Sequence, residues 1–123
     1  MLVVRRKDKG ISVQEASFRD ICEAVYLLLM LIPSGYVTSY KNLGEALGLH
    51  PRVVAYCLKV NRDLIVVPCH RVVYSSRELG GYSVLGKNFK RRLLEVEGVK
   101  FEGNKVALGH FIDINSLLKG DNP

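Results

Sequence analysis

Only three residues, Gly48-Leu49-His50, separate a pair of short stretches with helical periodicity, and this spacing constrains the fold more than any other feature of the chain. Upstream, Ser39 is placed to cap a helix that runs through Leu47 and buries Leu43, Ala46 and Leu47, with Gly48 as its stop. Downstream, Pro51 suits a first helical turn, and Val53, Val54, Cys57, Leu58 and Val60 make an apolar side that ends at Asn61. Two helices this close form a helix-turn-helix candidate whose second member would be the recognition helix. The same pattern fits a helix pair that only packs, and the spacing alone leaves both readings open.

The flanking segments imply a mainly α chain with small β elements. Residues 17–30 place Phe18, Ile21, Cys22, Val25, Leu28 and Leu29 at helical spacing behind a Ser17 N-cap, and Pro33-Ser34-Gly35 ends the run. Leu64-Ile65-Val66-Val67 reads as a buried strand or extended segment that delivers Pro68-Cys69-His70-Arg71, and Val72-Val73-Tyr74 continues extended. Residues 79–86 form a glycine-punctuated loop. The pattern over 88–96 predicts a helix with Phe89, Leu93, Leu94 and Val96 inward and Lys90, Arg91 and Arg92 on a positive outer face. Residues 99–108 read as a hairpin centred on Glu102-Gly103-Asn104, and the last fifteen residues add a short helix or tail. The first dozen, with Arg5, Arg6, Lys7 and Lys9, lack hydrophobic periodicity and read as a basic tail, frayed or at an edge. One domain over residues 13–123 behind a tail at 1–12 is the expected organisation.

Composition narrows the function classes. With 48% hydrophobic residues in 123, the chain can bury a real core. Lys and Arg outnumber Asp and Glu by 18 to 12, so the surface field favours polyanions such as nucleic acid, although charge alone identifies no partner. The longest apolar stretch, residues 25–33, is too short to cross a bilayer, and the start lacks a signal-peptide core, so no membrane partner is expected. Cys22, Cys57 and Cys69 are odd in number and scattered, a poor disulfide framework that suits a reducing, cytoplasmic compartment.

Cys69 beside His70 is the sharpest local feature. As a zinc site it fails on spacing, because Cys22, Cys57, Cys69, His50, His70 and His110 form no paired ligand motif; no metal is expected. As a free cysteine it can be a small buried hydrophobe, the role expected of Cys22 and Cys57. As a nucleophile it needs a base and stabilising neighbours, for which His70 and Arg71 are the right types. On an extended segment adjacent side chains point to opposite sides, so His70 would act through a water, with a carboxylate such as Glu97 orienting its ring. The residues by themselves leave the structural and chemical readings open.

Pro68-Cys69-His70-Arg71-Val72 resembles the active-site run of the O6-alkylguanine-DNA alkyltransferases, in their C-terminal domain. Ile32-Pro33-Ser34-Gly35-Tyr36-Val37-Thr38-Ser39-Tyr40 is similar to the segment before that family's helix-turn-helix, and Pro51-Arg52-Val53-Val54 to the start of its recognition helix. Asn61 lies eight residues before the cysteine, and Gly80-Gly81-Tyr82-Ser83 and Leu93-Leu94-Glu95-Val96-Glu97-Gly98 resemble later motifs. The resemblance spans roughly residues 17–106. It implies a winged-helix-like helix-turn-helix domain that flips an O6-alkylguanine out of double-stranded DNA and keeps the alkyl group irreversibly on Cys69, once per molecule, as a monomer and with no cofactor.

The resemblance also implies a role for each matched residue. Cys69 is the acceptor, His70 the base acting through a water, Glu97 the carboxylate behind it, Asn61 the brace of the cysteine turn, and Tyr40 the proton donor to the leaving guanine. Arg52 is the finger that fills the space left by the flipped nucleotide, and Ser39, Ser75 and Ser76 join it in contacting DNA. Val72, Tyr82, Ser83 and Lys90 line the base pocket. Three departures stand out: Asn61-Arg62 replaces the family's Asn-Pro, Ala55 replaces a recognition-helix glycine, and Val84-Leu85-Gly86 replaces a Gly-Gly with an apparent extra residue. The family's separate N-terminal domain has no counterpart here, so a minimal version is expected. The alternative is an alkyltransferase-like protein that grips alkylguanine in DNA and recruits other repair; those proteins typically carry tryptophan where this chain has Cys69.

Overall fold

The computed structural model describes residues 1–7, 10–63, 66–80 and 86–120, with side chains described outside residues 2–14. Two strands open the chain: β1 (Leu2–Lys7) and β2 (Gly10–Glu15) pair antiparallel, Leu2 opposite Glu15 and Lys7 opposite Gly10. The basic segment expected as a tail is therefore a hairpin, and the boundary drawn at residue 12 falls inside β2. Valines and isoleucine between the charges give both strands β-forming residues that a search for helical periodicity passes over.

Helix α1 (Phe18–Leu29) starts at the expected cap, with the Ser17 side chain and the Asp20 carboxylate in a reciprocal capping box. Val25, Leu28 and Leu29 are buried, whereas Phe18 stays half exposed beside Tyr56, ring centroids 5.3 Å apart. After β3 (Thr38–Ser39), α2 (Tyr40–Leu47) begins at Ser39, whose hydroxyl accepts from the Asn42 N–H, and ends at Gly48 in the left-handed region, φ +69°. Helix α3 (Pro51–Val60) follows, with Pro51 in its first turn and Asn61 as C-cap. The α2–α3 pair is the helix-turn-helix expected from the spacing. Gly44 makes its close approach possible: a Cβ there would fall inside contact distance of the Leu49 carbonyl oxygen, while the Leu49 N–H donates to the Gly44 carbonyl at 2.7 Å.

One expectation about the cysteines is overturned. Cys22 of α1 and Cys57 of α3 are joined by a disulfide, with Cα atoms 5.1 Å apart, leaving Cys69 as the free thiol. The scattered spacing hid this pair, because only the packing of α1 on α3 makes residues 35 apart in sequence neighbours.

Short strand β4 (Val72–Val73) pairs in parallel with β3, Thr38 opposite Val72 and Ser39 opposite Val73. This pairing sets the start of α2 beside the segment that leaves Cys69. Helix α4 (Gly86–Val96) begins two residues earlier than expected, and its inward side is different: Leu94 and Lys90 are fully buried, whereas Phe89 is 39% and Val96 85% exposed. β5 (Phe101–Glu102) and β6 (Lys105–Val106) form the expected hairpin, and α5 (Ile114–Leu118) anchors the end of the chain through buried Ile114. Among the described residues no helix is long and apolar enough to cross a membrane.

Among the described residues two hydrophobic clusters form the interior. One joins α1, α2 and α3 through residues such as Val25, Leu29, Leu43 and Val54, and includes Cys69 and Val72. The other gathers Val37, Val73, Leu79, Leu94, Val99 and Val106. The chain passes from one to the other between Val72 and Val73, shortly after the free cysteine.

Candidate active site

Cys69 opens a single 3-10 turn, Cys69–Arg71, instead of ending a strand. The extended approach expected for residues 64–67 is not what the described part of it adopts: Val66 and Val67 lie in turns, and Leu64 and Ile65 fall outside the described residues. The Val67 N–H bonds back to the Asp63 carbonyl at 3.1 Å, Cys69 N–H to Val67 at 2.8 Å, and Arg71 N–H to Pro68 at 3.0 Å. Pro68 needs no donor partner within this chain of tight bonds. A 3-10 turn spreads consecutive side chains about 120° apart. Cys69 accordingly faces Asn61, while His70 and Arg71 both reach Glu97.

The thiol is 6% exposed, and the Asn61 Nδ2 donates to its Sγ at 3.0 Å and to the Asp63 carbonyl at 3.2 Å. Asn61 Oδ1 accepts in turn from the Asp63 N–H. Burial pushes the Cys69 thiol above its ordinary value, opposed by the Asn61 hydrogen bond and the Lys90 charge. The same residue is both the end of α3 and the brace of the cysteine.

His70 Nε2 lies 3.0 Å from Glu97 Oε1. Arg71 holds that carboxylate from the other side, Nε donating to Oε1 at 3.0 Å and Nη2 to Oε2, while its Nη1 donates to the Ile32 carbonyl at 2.9 Å. Burial would raise the Glu97 carboxyl, but hydrogen bonds from Arg71 and His70 outweigh it and hold Glu97 below the usual range. An ionised Glu97 accepts from Nε2–H, which leaves Nδ1 with the lone pair. That nitrogen is buried and has no hydrogen-bond partner among the described residues. Burial holds His70 below its ordinary value, against the pull of Glu97, so the ring is a neutral base near pH 7. Glu97 directly follows α4, its N–H bonded to the Leu93 carbonyl, and Gly98 at φ +92° turns the chain away.

Tyr40, the first residue of α2, packs its ring 5.7 Å from that of Tyr74, with Lys90 Nζ 5.9 Å from its centroid. Burial, then the charges of Tyr74 and Cys69, push its hydroxyl up to about 12, so it stays protonated near neutral pH. Lys90 corrects the outer-face reading of α4: it is fully buried, and its Nζ donates to the carbonyls of Val72, at 2.6 Å, and Leu79. Burial lowers it to about 7. Arg91, by contrast, does lie outward, over the Phe101 ring at 4.4 Å and bonded to the Gly103 carbonyl.

Asn61 is thus bonded to Cys69, His70 to Glu97 and Lys90 to the Val72 carbonyl, with Tyr40 beside Lys90. Arg52 stands exposed in the first turn of α3, its N–H donating to His50 Nδ1, and Ser75 and Ser76 are exposed in the turn after β4. Ser39 does not join them: it is 2% exposed and its hydroxyl is committed to capping α2, so its place is structural. Tyr82 and Ser83 lie outside the described residues, as do Val84 and Leu85. Arg71, which the sequence suggests as a neighbour of the thiolate, instead clamps Glu97. Tyr74, the ring against Tyr40, carries no sequence signal beyond being aromatic after a two-valine strand. Among the described residues no three His, Cys, Asp or Glu side chains gather to hold a metal ion.

Residues 20–99 match the family model described as 6-O-methylguanine DNA methyltransferase, DNA binding domain. A methylated-DNA--protein-cysteine methyltransferase of Saccharolobus islandicus is 46% identical over 77 residues, 63% of this chain and 50% of that protein. One of Candida albicans is 43% identical over 75 residues, 61% of this chain and 42% of that protein. The chain thus spans about half the length of these relatives or less. The O6-methylguanine-DNA methyltransferase of Pyrococcus kodakaraensis superposes with a TM-score of 0.60 at 42% identity, over 64% of this chain and 46% of that one. S. pombe Atl1, solved with damaged DNA containing O6-carboxymethylguanine, superposes with a TM-score of 0.68 over 79% of this chain and 98% of its own; at 22% identity this likeness concerns the fold alone.

Proposed function

This chain belongs to the 6-O-methylguanine DNA methyltransferase family through its DNA-binding domain, and on that premise we propose that it repairs DNA by moving an O6-alkyl group of guanine onto Cys69. The observation that carries the reading is the set Asn61, Cys69, His70 and Glu97, in which a buried thiol is held by a donor and a neutral imidazole is oriented by an ionised carboxylate. Cys69 gives its proton, through a water, to His70 Nδ1, and Glu97 steadies the imidazolium that results. The sulfur attacks the alkyl carbon, the carbon–O6 bond breaks, and a thioether forms. Tyr40 supplies a proton to the departing guanine, which leaves as a neutral base. The thioether is stable and stays on the protein, so each molecule acts once, without a cofactor.

The alkyl carbon of a stacked guanine cannot approach a sulfur this buried, so the nucleotide must be flipped from the duplex. Exposed Arg52 at the start of α3 is the residue that fills the gap, and Ser75 and Ser76 contact phosphate; Val72 and Lys90 border the base. Lys90 serves by holding the Val72 and Leu79 carbonyls in place. Double-stranded DNA is bound with little sequence preference and more weakly as salt rises. The protein works as a monomer on DNA.

Intact-protein mass after incubation with a duplex containing O6-methylguanine tests this. The expected result is a gain of one methyl that is lost in Cys69→Ala and kept in a Cys22→Ala/Cys57→Ala protein. Tight binding to the same duplex with no gain in mass would instead place the chain with proteins that recognise alkylguanine without removing it.

A further inference from the structure

Asn61 holds the thiol, but its own position depends on how α3 ends. In a continuing α-helix the Asn61 N–H would bond to the Cys57 carbonyl; here it turns to Leu58 at 3.3 Å. The Cys57 carbonyl is taken instead by the Tyr26 hydroxyl, which donates to it from α1. One turn earlier on α1, Cys22 is bonded through sulfur to the same Cys57. Cys22 and Tyr26 are four residues apart on one helix, and Cys57 and Asn61 four apart on the other, so both constraints from α1 meet one turn before the brace.

We propose that Tyr26 and the Cys22–Cys57 disulfide act as a clamp from α1 on the last turn of α3, and that through Asn61 this clamp positions Cys69 for reaction. Tyr26 is a positioning residue: its hydroxyl donates to the Cys57 carbonyl and not to the thiol. Its hydroxyl stays protonated and able to donate, because burial and the neighbouring Cys69 both raise it. The backbone and sulfur contacts act on the same residue for different reasons, the hydroxyl satisfying an orphan carbonyl and the disulfide fixing the distance between helices. Cys22 and Tyr26 line a shallow groove with Phe18, Arg19, Glu23 and Val60, and Cys22, Cys57 and Cys69 belong to one hydrophobic cluster against which Tyr26 packs.

The inference rests on Cys69 being the reacting group, and its test does not require alkylguanine. The rate at which iodoacetamide alkylates Cys69 in the intact protein, measured across pH, reports how well the thiolate is stabilised. Asn61→Ala should slow this rate on the order of tenfold near neutral pH, the loss of one hydrogen bond to a charged sulfur. Tyr26→Phe should slow it roughly threefold in the same direction, since the bond to Sγ is loosened and not removed. In an Asn61→Ala background Tyr26→Phe should add nothing, because its effect passes through that amide. Circular dichroism confirms folding; if Tyr26→Phe does not fold, the Cys22→Ala/Cys57→Ala protein carries the same comparison. An unchanged pH profile in the folded variant, or an equal slowing with and without Asn61, overturns the proposal. A protein that shows the expected coupling yet gains no methyl from O6-methylguanine keeps the clamp and loses the transfer reaction.

Discussion

At Cys69 the local chemistry runs against the thiolate. Burial raises the thiol more than the Asn61 amide, the Lys90 charge and a backbone hydrogen bond pull it down, so thiolate chemistry near neutral pH calls for a base. His70 is fitted to that task by its two different nitrogens, one committed to Glu97 and one left with its lone pair. Because burial holds His70 below its ordinary 6.5, its base form persists on mild acidification. Single-turnover transfer should therefore keep its His-dependent acid limb below pH 6.5; a limb centred above that value would show that His70 is not the base. Replacing Glu97 with Gln leaves a hydrogen-bond acceptor but removes the charge that orients and steadies the ring. Transfer should fall about 10- to 100-fold, a fraction of a whole base's contribution, in a rapid-quench measurement. The folded value of Glu97 is depressed, so the stability it contributes is complete above the ordinary carboxyl value and is lost as pH falls through the folded one. Glu97→Gln should therefore flatten the acid side of the stability–pH curve.

At the scale of elements, the helix pair depends on a contact that no side chain makes. Gly44 lies in the middle of α2, where glycine is otherwise unfavourable, and its missing Cβ is what lets the turn before α3 cross so closely. Gly44→Ala should gain helix propensity and still destabilise the protein by about 1–3 kcal/mol, because the clash is with backbone that has no room to move. Urea denaturation measures this, and a stabilised variant would mean the turn can shift without cost. The caps at Ser17, Ser39 and Gly48 were legible because capping uses residues adjacent in sequence. The roles of Asn42 were not: its Oδ1 accepts from the Ile114 N–H at 2.7 Å and from Thr38, and its Nδ2 donates to Asp113, tying α2 to a segment about seventy residues away.

The whole molecule is held across its two hydrophobic clusters by a charged residue. Lys90 spans them, with one bond to the carbonyl of Val72 in the first and one to that of Leu79 in the second. Lys90→Met preserves most of the volume but leaves two buried carbonyls without this donor, at a cost of about 2–5 kcal/mol. The expected outcome is a clear loss in the free energy of unfolding together with a slower Cys69; unchanged stability would mean that the amine is not the tie between the clusters. This fully buried lysine sits in a run of three basic residues that amphipathic reasoning places outward. A single apolar stripe is a fair rule for helices against a uniform core, and α4 packs against a seam that presents carbonyl oxygens.

The order of helices, their caps and stops, the three-residue turn of the helix pair and the candidacy of Cys69, His70, Glu97, Asn61 and Tyr40 could all be read from sequence alone. Periodicity, capping and motif spacing are properties of residues close along the chain. Only the tertiary structure decided that Cys22 meets Cys57, that Lys90 points inward, that Arg71 clamps Glu97 and that Ser39 is a cap and not a surface contact. It also put Val66 and Val67 in turns and Cys69 at the start of a 3-10 turn, where an extended segment was expected. Each of these depends on which distant backbone arrives at a given side chain, and β3 beside β4 with α1 across α3 settles that at distances no local pattern encodes.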